Sequence, residues 1–226
     1  MIKEHPILFT GIMVGAILKG FKTQTRRVVK YKIDSTTYDL FYWQPEDHND
    51  KTHAEIGLYG WCKSGLKYYG KSPFGEVGDL LWVRETWAYV DNSEFNVSSY
   101  YEYKADKPND KYPGDWPNDL VPCEVPLKWQ SPLFMPRAAS RIVLRIESIK
   151  LEKLNSISDE DCEKEGIVWM NNGCCEECYQ WTFDKKYWFD YCKDCYEFLW
   201  DKINGKKYPW KSNPWVWVIT FTKIEP

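Results

Sequence analysis

The sequence predicts an α+β fold in which strands dominate: a small β-barrel or strongly curled sheet with short helices at its periphery. Three observations carry this. Residues 80–87, 140–154 and 215–221 are β-prone runs, the last nearly all apolar. The helical segments are few and short. There is no alternating βαβ pattern, no G-x-G-x-x-G and no phosphate loop, which argues against a doubly wound nucleotide-binding sheet.

Taken in order, Ile7-Leu8-Phe9 reads as a short strand. Thr10 can cap a helix over residues 11–19, with Ile12, Met13, Ala16 and Ile17 on one apolar face. Gly20 ends it. Residues 26–32 return as a basic strand. Residues 34–76 are polar, aromatic and rich in turn formers, and read as a long irregular insert. The turn Gly75-Glu76-Val77-Gly78-Asp79 launches residues 80–87, whose first part is apolar on both faces and therefore reads as a central strand. Residues 99–105 are a further strand, and the five prolines within 106–126 make that stretch a loop. Residues 140–154 alternate from Arg145 onward and form one long strand, with a bulge where Ser148-Ile149 breaks the register. Ser158-Asp159-Glu160-Asp161 is a capping box opening a short acidic helix that stops at Gly166. A cysteine-rich insert over 171–196 precedes a helix over 197–204 that stops at Gly205. Residues 215–221 are the last strand.

With 226 residues the chain suits a single domain carrying those two inserts. Its formal charge of −3 excludes a polyanion binder with a wholly basic surface, so any nucleic-acid contact must come from a local patch. Basic residues gather at 19–32 and 137–145, acidic ones at 159–165. Aromatics are 17% of the chain and include 13 Trp, enough to fill a core and also to offer stacking surfaces for bases. Trp82, Trp215 and Trp217 sit in apolar strands and read as core, while Trp43, Trp61, Trp87, Trp129 and Trp210 lie in loops or at strand ends, where one or two could stack on a base. The start is charged and lacks the apolar run of a signal peptide, and no apolar run is long enough to span a bilayer. A cytoplasmic protein with no membrane partner is the expectation. In that compartment eight Cys point to metal or free thiols before disulfides.

Two constellations could carry chemistry. The first is Cys175-x-x-Cys178 followed, thirteen residues on, by Cys192-x-x-Cys195, the spacing of a tetrahedral structural zinc site. Four thiolates close the coordination sphere, so such an ion holds the insert together and leaves no position for water. Cys174 is an alternative first ligand, and Cys62, Cys123 and Cys162 read as isolated. The second is Lys22-Thr23-Gln24-Thr25-Arg26-Arg27. In extended chain Thr23 and Thr25 share one side, and Lys22, Gln24 and Arg26 the other. A threonine hydroxyl needs a base to become a nucleophile, and a lysine serves only if burial or a neighbouring cation lowers its pKa. A carboxylic acid must then protonate the leaving group. The acidic helix offers Asp159, Glu160, Asp161, Glu163 and Glu165; helical spacing puts Asp161 and Glu165 on one face and Glu160 and Glu163 on another.

The blocks Ile7 to Gly11 with Lys22-Thr23-Gln24-Thr25-Arg26-Arg27, then Gly78-Asp79-Leu80-Leu81-Trp82-Val83-Arg84-Glu85-Thr86-Trp87, resemble the ASCH family of the PUA-like superfamily, closest to its long bacteriophage and prophage members. The likeness continues in Met135 to Ile142, in Ile157 to Ile167, in Leu199 to Gly205 and in Asn213 to Val218. The resemblance implies a PUA-like β-barrel with a cleft beside the first helix that takes RNA, modified DNA or a modified nucleoside or nucleotide. It implies either an amidohydrolase acting on an N-acylated cytidine-type nucleoside, a ribonuclease, a non-catalytic binding module, or a phage accessory protein that engages a protein of its bacterial host. The K-T-x-T motif places Lys22 as base and Thr25 as nucleophile, and aligning the acidic helix places Glu165 as acid. Thr23 and Arg26 join them as ligand contacts. Arg84, Glu85, Arg137, Ser140 and Arg141 look like features of the phage-type branch. Arginines there can clamp phosphate or stack on a base, or an internal Arg–Glu pair can simply hold the fold. Asp79 in the Gly-Asp turn looks like a family feature that fixes the turn.

Overall fold

The computed structural model describes residues 2–33, 35–44, 56–91, 98–106, 128–170, 178–181 and 187–224. In chain order these form β1 (Glu4–Leu8), α1 (Gly11–Leu18), β2 (Gln24–Val28), β3 (Thr37–Trp43), β4 (Gly57–Cys62), β5 (Gly65–Gly70), β6 (Leu80–Arg84), β7 (Trp87–Val90), β8 (Tyr100–Tyr103), β9 (Val143–Lys153), α2 (Asp159–Lys164), β10 (Ile167–Met170), β11 (Cys178–Trp181), α3 (Cys192–Asn204) and β12 (Trp215–Ile224). The fold is α+β with a sheet-dominated core. Among the described residues no helix is long and apolar enough to cross a membrane.

Five strands make the main sheet in the order β1-β6-β9-β12-β2. β1 runs parallel to β6, and the other three pairings are antiparallel. The expected barrel does not close among the described strands: β1 and β2 stand as edges. The long β9–β12 ladder is the spine. Its register shifts where Thr220 faces Ser148 and Phe221 faces Ile146. Glu147 is therefore the extra residue, one position before the bulge expected from the sequence.

The two faces of β12 explain why residues 215–221 are nearly all apolar. Trp217, Ile219 and Phe221 point into one core, with Ile7, Phe9, Val14, Ile17, Leu144 and Ile146. Val216 and Val218 point into a second core on the opposite face, with Leu154, Ile157, Cys162, Ile167, Leu199 and Trp200. Both faces are covered, so no alternation is visible. Each such side chain contributes about 1.5–3 kcal/mol on burial.

The stretch 34–76 is not the irregular insert expected. β3, β4 and β5 form an antiparallel sheet, and Leu40 and Leu58 complete the first core. Tyr42 meets Trp217 edge-on at 5.1 Å between ring centroids. The sequence hides this sheet because glycine lies inside β4 and at both ends of β5, where it reads as turn. The run 80–87 also divides: β6 ends at Arg84, and Trp87 begins β7, which pairs with β8. The cysteine-rich stretch ends earlier than expected, because α3 starts at Cys192 and takes the second C-x-x-C into its first turn. Residues 107–127, which include most of the proline-rich loop and Cys123, lie outside the described residues.

Both expected caps are present. The Thr10 side chain accepts from Met13 N at 3.4 Å, and the Ser158 side chain accepts from Asp161 N at 3.2 Å. Gly20 and Gly166 leave α1 and α2 with φ of 78° and 99°, a conformation that favours glycine. Asp79 holds the turn before β6, accepting from Lys3 N at 2.9 Å and Glu76 N at 3.1 Å.

Candidate functional site

After Gly20 the chain doubles back, and the amides of Phe21 and Lys22 both donate to Ala16 O, at 2.9 and 3.2 Å. Thr23 then bridges two elements through its backbone: its N–H donates to Lys164 O at 2.9 Å, and its carbonyl accepts from Phe221 N at 2.8 Å. That pins the start of β2 between α2 and β12. The alternation of an extended chain does the rest, because Lys22, Gln24 and Arg26 all turn toward α2.

Lys22 is fully buried on its side chain, and its Nζ donates to Glu165 Oε2 at 2.5 Å and to the Glu165 carbonyl at 3.0 Å. Arg26 is likewise buried. Its Nη2 lies 2.5 Å from Asp161 Oδ2 and 3.3 Å from Glu152 Oε2, and its Nη1 lies 3.5 Å from Glu165 Oε1. Gln24 ties the set together, accepting from Arg26 Nη1 at 2.6 Å and donating to Asp161 Oδ1 at 3.2 Å. The Tyr196 hydroxyl reaches in from α3 and donates to Glu165 Oε1 at 3.4 Å. One carboxylate thus accepts from Lys22 and Tyr196 and lies within ion-pair distance of Arg26.

The electrostatics follow from that burial. Desolvation pushes the Lys22 ammonium below the usual lysine range; Glu165 opposes the shift, while Arg27 and Arg26 add to it. Burial also holds the Tyr196 phenol far above its ordinary value, with the Glu165 charge adding to it, so this hydroxyl stays a donor. Asp161 moves the other way. Burial works to raise it, but the Arg26 hydrogen bond and charge, with help from Gln24, hold its carboxyl below the usual aspartate value.

Against this network lies a cavity of about 700 Å³, within the usual size range of ligand sites. Thr25, Arg26, Arg27, Glu165 and Tyr196 line its buried part, and Tyr31, Phe74, Trp200, Tyr208 and Trp217 supply aromatic wall. Lys30, Lys206 and Lys207 line it from the exposed side. Lys30 and Lys206 have no ion-pair partner among the described residues. Arg26 and Arg27 each keep a buried Nε with no hydrogen-bond partner. Arg27 otherwise donates to Leu8 O at 2.6 Å and lies 4.9 Å from the centre of the Phe9 ring. As β2 is an edge strand, residues from both its faces border this space.

The sequence-derived candidates divide into three groups. Thr25 and Glu165 line the cavity, and Lys22 sits directly behind Glu165. Arg26 reaches the same space, whereas Thr23 works through its backbone. Arg84, Glu85, Arg137 and Arg141 do not line it. Arg141 forks onto the buried Glu85 at 2.9 and 3.1 Å and onto Asp106 at 2.6 and 3.0 Å. Arg137 pairs with Glu4 at 2.7 Å, and Arg84 stacks on Trp82 at 4.5 Å. The internal ion pair is thus the arrangement that forms around Glu85. Of the tryptophans set aside for stacking, Trp87 and Trp210 are buried, and the cavity takes Trp200 and Trp217 instead.

Sequence reasoning missed Tyr196, Lys206 and Lys207. The only available signal was the Lys-Lys pair just after the helix stop at Gly205. Tyr196 carries no signal, since an aromatic at that spacing on a helix reads as core.

Among the cysteines, Cys175 lies outside the described residues, and only the backbone of Cys178 is described. Cys192 and Cys195 are both buried in the first turn of α3. Cys162 is not isolated as expected: with Asp159 and Cys192 it forms a group whose ligand atoms all lie within 4.8 Å of one another and can hold a metal ion. The hydrogen bond with Cys192 and burial raise the Cys162 thiol well above its ordinary pKa.

Comparison with protein-family models, with curated proteins and with solved structures finds no match. What defines the class of this protein is its geometry: an open α+β sheet whose edge strand carries a buried, cross-element ion-pair network beside a cationic, aromatic cavity.

Proposed function

We propose that this is an ASCH-like protein of PUA-like architecture whose cavity recognises nucleic acid or a modified nucleotide. The observation that carries the reading is the pairing of aromatic wall with Lys30 and Lys206 at the exposed side, cations without counter-charges among the described residues. Aromatic faces suit a base, and lysines suit the phosphates beside it. In this reading any zinc is structural and takes no part in the cleft. The test is isothermal titration with modified and unmodified nucleoside monophosphates and with short single-stranded RNA and DNA. Saturable binding to one of these is expected, and its weakening by Arg27→Ala locates it. Absence of heat or anisotropy change across the whole panel sinks the reading.

A second, sharper reading is amide hydrolysis at the same place, favoured by the lowered pKa of Lys22 and by Thr25 on the cavity wall. The Thr25 hydroxyl attacks the acyl carbon while its proton passes to the Lys22–Glu165 pair through Glu165, the member that lines the cavity with Thr25. The amine then leaves as the C–N bond breaks, taking a proton supplied through Glu165, and water hydrolyses the acyl-threonine ester. Glu165 accepts from Lys22 in the resting arrangement, which holds its carboxyl in place to take that proton and hand it to the leaving amine. Thr25→Ala is expected to abolish release of acylate from an N4-acylated cytidine while leaving the melting curve unchanged within experimental error. Retained turnover in that variant, or no turnover in the wild type, rejects catalysis and leaves recognition standing.

A further inference from the structure

Behind the cavity, two helices meet at their first turns. Asp159 opens α2, and Cys162 lies one turn on, so both project from one side of that helix. Cys192 opens α3, and its Sγ also lies 3.8 Å from the backbone carbonyl of Asp159, to which it donates. The sulfurs of Cys162 and Cys192 and a carboxylate oxygen of Asp159 all fall within 4.8 Å of one another. Around a tetrahedral zinc, with Zn–S of about 2.3 Å and Zn–O of about 2.0–2.2 Å, neighbouring ligand atoms stand about 3.5–3.8 Å apart. A small contraction therefore brings these three onto one ion. The surroundings suit it: the two sulfurs are buried in the core with Leu154, Ile157 and Ile167, and Asp159 is exposed. Two soft thiolates and one carboxylate select a thiophilic divalent cation over magnesium or calcium. The sulfur of Cys195 is not part of this group.

We infer that Asp159, Cys162 and Cys192 bind one thiophilic divalent cation, zinc by preference, which clamps α2 to α3, with water completing the coordination. This assigns the ion to a pair of cysteines far apart in sequence in place of the four-cysteine set that the C-x-x-C spacing suggests. It also gives the ion a position of consequence. α2 carries Asp161, which holds Arg26, and hands over to Glu165, which accepts from Lys22; α3 carries Tyr196, which donates to Glu165. An ion joining the starts of both helices braces the elements that aim these side chains, without touching the cavity itself. The inference is independent of what the cavity binds.

The test uses the full chain and zinc alone. Zinc content by mass spectrometry and affinity by chelator competition are measured for the wild type, Cys162→Ser, Asp159→Asn and the double variant Cys175→Ser/Cys178→Ser. A single equivalent is expected in the wild type and in the double variant. Asp159→Asn, at an exposed position that leaves the core intact, removes a direct ligand and is expected to weaken zinc by at least the about 10- to 100-fold that loss of an outer-shell partner costs, and Cys162→Ser to lose it. As Cys162→Ser alters a buried site, cobalt substitution of the wild type provides a second readout. Charge-transfer intensity of two thiolates is expected, together with faster amide exchange in α2 and α3 once the ion is chelated. A four-thiolate spectrum, zinc kept by Asp159→Asn and lost by Cys175→Ser/Cys178→Ser, or no zinc in the wild type overturns the inference.

Discussion

Lys22 and Glu165 are unequal partners. Among the described residues, both side-chain hydrogen bonds of Lys22 go to Glu165, one to the carboxylate and one to the backbone carbonyl. Glu165 has Arg26 and Tyr196 as well. Breaking a buried pair leaves an uncompensated charge, at a cost of about 3–5 kcal/mol. Glu165→Gln is therefore expected to reach that range, because Lys22 keeps a carbonyl but no anion. Lys22→Met is expected to cost clearly less, because Glu165 keeps the Arg26 charge and the Tyr196 hydroxyl. Urea denaturation of the two variants checks the order, and equal or inverted losses would mean that Lys22 finds another anion. This asymmetry was partly legible beforehand. The K-T-x-T spacing singled out Lys22 and Thr25, and alternation along an extended chain put Lys22, Gln24 and Arg26 on one side. Tyr196 and the lysines after α3 were not legible, since the fold brings them to β2 across a sequence separation that no local pattern encodes.

The link between α2 and β2 is the pivot of the site at the scale of elements. A six-residue helix is too short to stand on its own propensity. Its Ser158 cap and the grip of Arg26 and Gln24 on Asp161 hold it. The grip sets a pH dependence. Asp161 has a folded pKa below the unfolded value of 3.8, so its stabilisation is fully present above that value and is lost as pH falls through the depressed folded one. Asp161→Asn is expected to lower stability by about 1–3 kcal/mol at neutral pH. Its stability curve is then expected to converge with that of the wild type below about pH 4. Parallel curves down to pH 2 would show that Asp161 contributes by packing alone. N-cap residues and helix-stopping glycines made α1 and α2 readable from sequence, because those signals are local. The sheet of β3, β4 and β5 escaped for the converse reason: its glycines are strand residues only because the neighbouring strands pack against them.

At the scale of the whole molecule, a formal charge of −3 sets the background against which any polyanion must bind. Long-range attraction is weak or repulsive, so affinity has to come from cations within contact of phosphate. Around the cavity those are Lys30 on the sheet side and Lys206 and Lys207 after α3. Each phosphate neutralised by a lysine releases condensed counterions, and each such contact steepens the fall of log K with log salt by about 0.7–0.9. If the cavity takes a strand of RNA or single-stranded DNA across both sides, the wild-type slope is expected near −2, set by two to three contacts. Lys206→Gln with Lys207→Gln is expected to flatten it by about 1 to 2 units, and Lys30→Gln by about 1, with little change in melting temperature because all three side chains are exposed. Fluorescence anisotropy on a labelled oligonucleotide between low and high salt measures the slope. A mononucleotide carries no condensed counterions and predicts instead a nearly flat salt response. The two outcomes differ in slope, so the same salt series run on an oligonucleotide and on a mononucleotide separates a strand lying across the cavity from a single nucleotide held inside it. A slope unchanged in both variants would place the ligand's phosphates elsewhere and remove the argument from charge.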